Sequence, residues 1–182
     1  TDPDGNKTEI ETGKDENGNS NTTVTDKDGN TTESTSKTET NPDGSTTTTT
    51  KNPDGTTTEV TTKTETTTDP ETGTTTQTTT TVTEVKDKDG NTISKVETET
   101  KTETDQDGNT TVTETIKKPD GTTVETITKP DGSTSTTTTV ENGNGGSTST
   151  TVNKDKDGNV IDKITTVTDG NGNTTTIITD KD

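Results

Sequence analysis

The sequence predicts an all-β chain, a serial antiparallel β-hairpin meander of about a dozen Thr-rich strands. Three observations carry that expectation. Glycines in turn-forming contexts recur every 11 to 18 residues, and all six prolines (Pro3, Pro42, Pro53, Pro70, Pro119 and Pro130) lie beside them. The segments between are rich in Thr, Val and Ile, the β-branched types that suit a pleated surface. Helix is disfavoured, because Thr is a poor helix former and no 3.6-residue apolar period is present.

Taken in chain order, the turn glycines are Gly5, Gly18, Gly29, Gly44, Gly55, Gly73, Gly90, Gly108, Gly121 and Gly132. The cluster 143–146, Gly158 and the pair Gly170/Gly172 continue the series. The strongest signals are the Pro-Asp-Gly turns at 42–44, 53–55, 119–121 and 130–132. Pro presets φ at the first central position, Asp tolerates the second, and Gly takes the left-handed position that follows. This is the four-residue hairpin chemistry of a type I turn closed by a glycine bulge. Asn-Gly at 17–18, 142–143, 144–145 and 171–172 offers a two-residue turn instead.

Between turns the alternation of a strand is visible. Val60, Thr62, Thr64 and Thr66 share one face. In "ETETKTET" (97–104), Glu97, Glu99, Lys101 and Glu103 point one way and four threonines the other. In "VTETI" (112–116), Val112, Glu114 and Ile116 share a face. Pairs such as Val82/Val85, Ile93/Val96 and Val124/Ile127 break the two-fold rule and blur the inner face. A β-solenoid is the alternative, but it requires a constant coil length, which these unequal steps do not supply.

Composition decides what such a sheet lacks. Of 182 residues, 10% are hydrophobic, and every one is Val or Ile. There is no Leu, Ala, Met, Phe, Trp, Tyr, Cys, His or Arg, and about a third of the chain is Thr. Thirty-five acidic residues face 17 lysines, for a net charge of −18. Low hydrophobicity with high net charge is the signature of disorder. Order therefore calls for support from outside a single-chain core: other copies of the chain, then glycans, then cations. Residues 1–182 read as one repetitive, low-complexity region. With no Met at the start and ends that resemble the middle, it is expected to be a fragment of a longer repetitive protein. No stretch is apolar enough to cross a membrane as a helix, and the acidic balance disfavours nucleic acid and anionic membranes as partners.

A catalytic role is not expected. Without His, Cys or Tyr, a general base near neutrality must be a desolvated carboxylate or Lys, and the apolar residues that desolvate one are missing. No cofactor is expected beyond calcium. "DKDGN" at 26–30, 87–91 and 155–159 and "DQDGN" at 105–109 resemble the start of an EF-hand loop. That makes Asp26, Asp28, Asp87, Asp89, Asp105, Asp107, Asp155 and Asp157 the calcium candidates. Position six is never Gly, and position twelve holds Lys37, Thr98, Thr166 or Ile116 instead of Glu, so the turn reading accounts for the same residues. Covalent glycans are the other candidate. Asn-X-Thr sequons occur at Asn6, Asn21, Asn30, Asn109 and Asn173. Thr runs around Thr47, Thr75, Thr79 and Thr137 have the composition of O-glycosylated stalks.

The NPDG and KPDG turns at 41–44, 52–55, 118–121 and 129–132, with strands such as "TTTEVTTKTETTT" (56–68), resemble the Thr-rich repeat regions of large bacterial cell-surface proteins. That resemblance covers the whole length and implies a stalk between an anchor and a distal domain. "TDPDGNKTE" (1–9) and the DKDGN turns look like YD/Rhs repeats, whose recurrent Tyr is absent here. The expectation is thus an extracellular structural protein, a stalk, filament or fibril subunit ordered by self-association into stacked sheets. A calcium-dependent adhesin segment and an ice-binding Thr array are the alternatives.

Overall fold

The computed structural model describes residues 9–16, 19–25 and 30–180. Thirteen strands follow one another along this chain. They are β1 (Glu9–Lys14), β2 (Ser20–Thr25), β3 (Thr31–Thr40), β4 (Thr46–Lys51), β5 (Thr57–Thr68), β6 (Thr75–Lys86) and β7 (Thr92–Thr104). Then come β8 (Thr110–Lys117), β9 (Thr123–Thr128), β10 (Thr134–Asn142), β11 (Gly146–Lys154), β12 (Val160–Thr168) and β13 (Thr174–Asp180). They form one open sheet in strict sequence order, each strand antiparallel to the next, with no helix among the described residues. The meander expectation holds and the solenoid alternative does not. Every fully described connection is a short hairpin, so each strand finds its partner immediately along the chain.

The turns explain why. In most of them a three-residue loop is closed by two backbone bonds. At 41–45, Asn41 N donates to Ser45 O at 2.7 Å and Gly44 N to Asn41 O at 3.0 Å. The same pair of bonds closes the loops at 52–56, 87–91, 105–109, 118–122, 129–133, 155–159 and 169–173. The last loop residue is always a Gly with φ between 79° and 87° in these three-residue loops. This is a type I turn followed by a glycine bulge, whose twist matches that of the flanking strands. The loop at 69–74 is one residue longer, with Asp69 N donating to Thr74 O and Gly73 N to Asp69 O.

One turn expectation is overturned. The Asn-Gly pairs at 142–143, 144–145 and 171–172 do not make two-residue turns. Gly145 N donates to Asn142 O and Gly172 N to Asp169 O, again around three-residue loops. A two-residue type I′ turn needs positive φ at both central residues, and no described non-glycine residue has it. At 169–173 the longer loop is favoured because Asp169 then caps two of its amides. Asn17-Gly18 lies outside the described residues.

The sheet has no hydrophobic core among the described residues: no aliphatic side chain is buried, and Ser45 at 4% exposure is the one buried polar side chain. The chain divides into two compact units, Thr1–Lys63 with Val82–Lys95, and Thr64–Thr81 with Val96–Asp182.

Candidate functional site

Two kinds of aspartate organise the turns. In the Pro-Asp-Gly turns the carboxylate belongs to the second central residue and caps the residue after Gly. Asp43 Oδ1 accepts from the Ser45 amide at 3.1 Å and hydroxyl at 2.7 Å. Asp54 does the same with Thr56 at 2.9 and 2.6 Å, and Asp131 with Ser133 at 2.9 and 2.7 Å. Asp120 takes the Thr122 amide at 2.9 Å. The hydroxyl bonds hold the carboxyls of Asp43, Asp54 and Asp131 below the ordinary Asp value, and the Thr122 amide does so for Asp120.

In the Asp-x-x-Gly-Asn turns the capping residue opens the turn. Asp87 Oδ1 accepts the amides of Asp89 and Asn91 at 2.9 and 2.8 Å, and Asn91 Nδ2 donates to Oδ2 at 3.0 Å. Asp105, Asp155 and Asp169 repeat this with Asn109, Asn159 and Asn173. The side-chain amides of Asn91, Asn109 and Asn173 hold Asp87, Asp105 and Asp169 below the usual carboxylate range. Hydrogen bonds to the charged form produce this shift.

The calcium candidates therefore divide by role. Asp87, Asp105 and Asp155 have both carboxylate oxygens engaged by amides of their own turn. Asp89, Asp107 and Asp157 lie exposed in the loops, and Asp157 pairs with Lys156 at 2.9 Å. Among the described residues no three acidic groups converge as a metal-binding cluster. Asp26 and Asp28 lie outside the described residues.

Two of the Asn glycan candidates are engaged in the same way. At Asn109 and Asn173 the nitrogen that would carry the sugar donates to Asp105 Oδ2 at 2.9 Å and to Asp169 Oδ2 at 2.8 Å. Asn21 sits in β2 with a buried Oδ1, Asn30 lies exposed before β3, and Asn6 is outside the described residues. All four Thr candidates share their hydroxyl with a Thr on the neighbouring strand. Thr47 pairs with Thr61 at 2.9 Å, Thr79 with Thr64 at 3.0 Å, Thr75 with Thr68 at 3.4 Å and Thr137 with Thr151 at 2.8 Å.

These hydroxyl pairs follow a rule. Ser36–Thr50, Thr38–Thr48, Thr104–Thr110, Thr126–Thr136, Thr139–Ser149 and Thr166–Thr176 join directly opposite residues. Each lies an odd number of steps from the pair that closes its hairpin. Ladder bonds alternate, so these are the positions without backbone bonds, where side chains come closest.

Within each unit, register also sorts the side chains onto two unlike faces. In the first unit, Val24 and Val60 fall with Thr and Ser on one face of β2 to β5. Glu33, Lys37, Glu39, Lys51, Glu59 and Lys63 fall on the other. An open depression on that charged face is lined by Asn19, Thr35, Lys37, Glu39, Thr49 and Lys51. Lys86 reaches Glu59 at 2.5 Å, with both side chains about a third exposed or less. The Glu59 contact raises Lys86 above the ordinary Lys value.

In the second unit the sorting is sharper. Glu97, Glu99, Glu103, Glu125, Glu141, Asp162 and Asp180 share one face with Lys101 and Lys117. Lys117 pairs directly across with Glu97 at 2.7 Å. The opposite face holds Val96, Val112, Ile116, Val124, Val140, Val152, Val167 and Ile177, interleaved with Thr. From β7 to β13 its charged residues are Glu114, Lys154 and Lys163. The blurring seen in Val124/Ile127 is real, since Ile127 faces the charged side with Ile164 and Ile178. Most of the Val and Ile side chains of these strands nevertheless share the opposite face with Thr.

Comparison with protein-family models, curated proteins and solved structures returned no match.

Proposed function

We propose that this chain is a structural, non-catalytic segment of an extracellular or cell-surface protein: a stalk or filament subunit built from hairpin repeats and ordered by association with copies of itself. One observation supports the reading above the rest. The strands succeed one another in strict order, the described turns are closed by their own backbone hydrogen bonds, and no described aliphatic side chain is buried. Such a chain extends by adding hairpins rather than by enlarging a core, which suits a spacer. The net charge of −18 keeps unassembled copies soluble.

Circular dichroism of the chain over a wide concentration range, with calcium and with chelator, tests this. Strand signal that grows with concentration and ignores chelator is the expected result. Strand signal that depends on calcium at every concentration would replace the self-association account with a calcium-dependent adhesin segment.

A further inference from the structure

We infer that the charge-poor face of β7 to β13 is a docking surface for the same face of a second copy of this chain. The proposal rests on the structural-subunit reading above and assigns the face through which copies meet. The two faces of the second unit differ in what they tolerate. The charged face carries an excess of carboxylates, so two copies laid charged face to charged face would repel each other. The opposite face presents Val and Ile between Thr methyls, with one carboxylate, Glu114, and two lysines.

Size supports the same partner. Seven strands at ~4.8 Å spacing and about eight residues at ~3.3 Å rise cover roughly 900 Å² on one face. Two such faces together reach the ~1,600 Å² of a standard specific interface. Desolvation is moderated as well, because Thr104–Thr110, Thr126–Thr136 and Thr150–Thr165 already share hydroxyl bonds on this face. A single-layer sheet with an uncovered apolar side is thereby converted into a two-layer sandwich whose outer sides are charged. Interdigitated Thr and Val side chains pack a dry interface without large residues.

The test uses the full chain, with sedimentation velocity reading mass and circular dichroism reading strand content. The wild type is expected to double its mass as concentration rises. Val124→Glu with Val152→Glu places two carboxylates on the docking face and is expected to weaken association by about tenfold or more. Thr113→Glu with Ser135→Glu, on the charged face, is expected to leave it unchanged. Equal weakening by both pairs would overturn the assignment of the face. A chain that keeps full strand signal as a monomer at every concentration would overturn the docking and the ordering by self-association, while leaving the hairpin-repeat spacer standing.

Should the docking-face variant lose its strand signal, cross-linking decides. The chain has no cysteine, so a single Thr138→Cys reports on the docking face and a single Ser135→Cys on the other. A short bismaleimide should join copies through position 138 and not through 135, and the opposite preference refutes the proposal.

Discussion

Asn109 is held to Asp105 across the β7–β8 turn, its backbone amide donating to Oδ1 and its side-chain nitrogen to Oδ2, both at 2.9 Å. The pair spans the loop and fixes where β8 begins opposite β7. In a chain without buried aliphatic side chains, such contacts carry the information that a core would otherwise supply. Register set at the turn determines which face every later side chain occupies.

Acid should therefore loosen the sheet through its turns. Asp87, Asp105 and Asp169 sit below the ordinary Asp value of 3.8 because hydrogen bonds favour the carboxylate. A depressed folded value means stability that is fully present above the unfolded value and lost as pH falls through the folded one. Thermal melts should be level through the mildly acidic range and fall once pH drops below about 4. Replacing all three with Asn should reduce that decline, leaving the part due to the Pro-Asp-Gly turns, and an unchanged acid decline in the triple variant would count against these three turns as a source.

The glycine cluster after β10 separates three roles that the sequence presents alike. Gly143 has open space where a Cβ would stand and an ordinary φ. Gly145 has φ +79°, and a Cβ on Gly146 would collide with the backbone oxygen of Thr168. Gly143→Ala should be neutral or stabilise by up to ~1 kcal/mol through the unfolded chain. Gly145→Ala should cost about 1–2 kcal/mol from left-handed strain, and Gly146→Ala should destabilise by forcing β11 and the end of β12 apart. Urea unfolding of the three variants checks the order, and equal midpoints would contradict it.

Much of the fold is legible because turn chemistry is local. Pro-Asp-Gly and Asp-x-x-Gly-Asn each state a three-residue loop, and such a loop pairs even-numbered residues with even ones. Counting through the chain in that way puts Val112, Ile116, Val124 and Val140 on one face from the sequence alone, and Val152 joins them once the loop at 142–146 is known to hold three residues. The count fails at the longer loop 69–74 and again at the register shift beside Asn153 and Lys154, where one extra residue in β12 moves odd-numbered Val167 and Ile177 onto that face. Nothing in the local sequence announces that bulge. The candidate sites misled for a related reason: spacing alone does not distinguish an Asp that ligates a cation from one that caps its own turn. The distinguishing signal was Asn four residues after Asp. Lys86 and Glu59, 27 residues apart, meet because of strand pairing, which no motif records.

The hydroxyl ladder predicts a non-additive pair. Thr137 and Thr151 share one bond at 2.8 Å in a half-buried position. Thr137→Val alone removes one partner and should cost ~0.5–1.5 kcal/mol, whereas Val at both positions replaces the pair by matched methyls and should be nearly neutral. A double-mutant cycle in urea measures the coupling. Additive losses would mean that the shared hydroxyl bond contributes nothing.

The bulge in β12 predicts where the chain tolerates a missing residue. Lys154 pairs with Val160 and Asn153 with Asp162, so one residue there is surplus to the ladder. Deleting Val160 lets Ile161 take its place opposite Lys154, leaves Val152–Lys163 and all later pairs intact, and should shift the melting temperature by less than about 5 °C. Deleting Thr113 from β8 is different, because every residue from Thr110 to Lys117 has a partner in β7. A one-residue slip there turns one part of β8 to the wrong face, placing either Val112 among the carboxylates or Lys117 among the valines. That variant should melt far lower or lose cooperativity. Equal tolerance of the two deletions would show that the alternation of faces is not what holds the register.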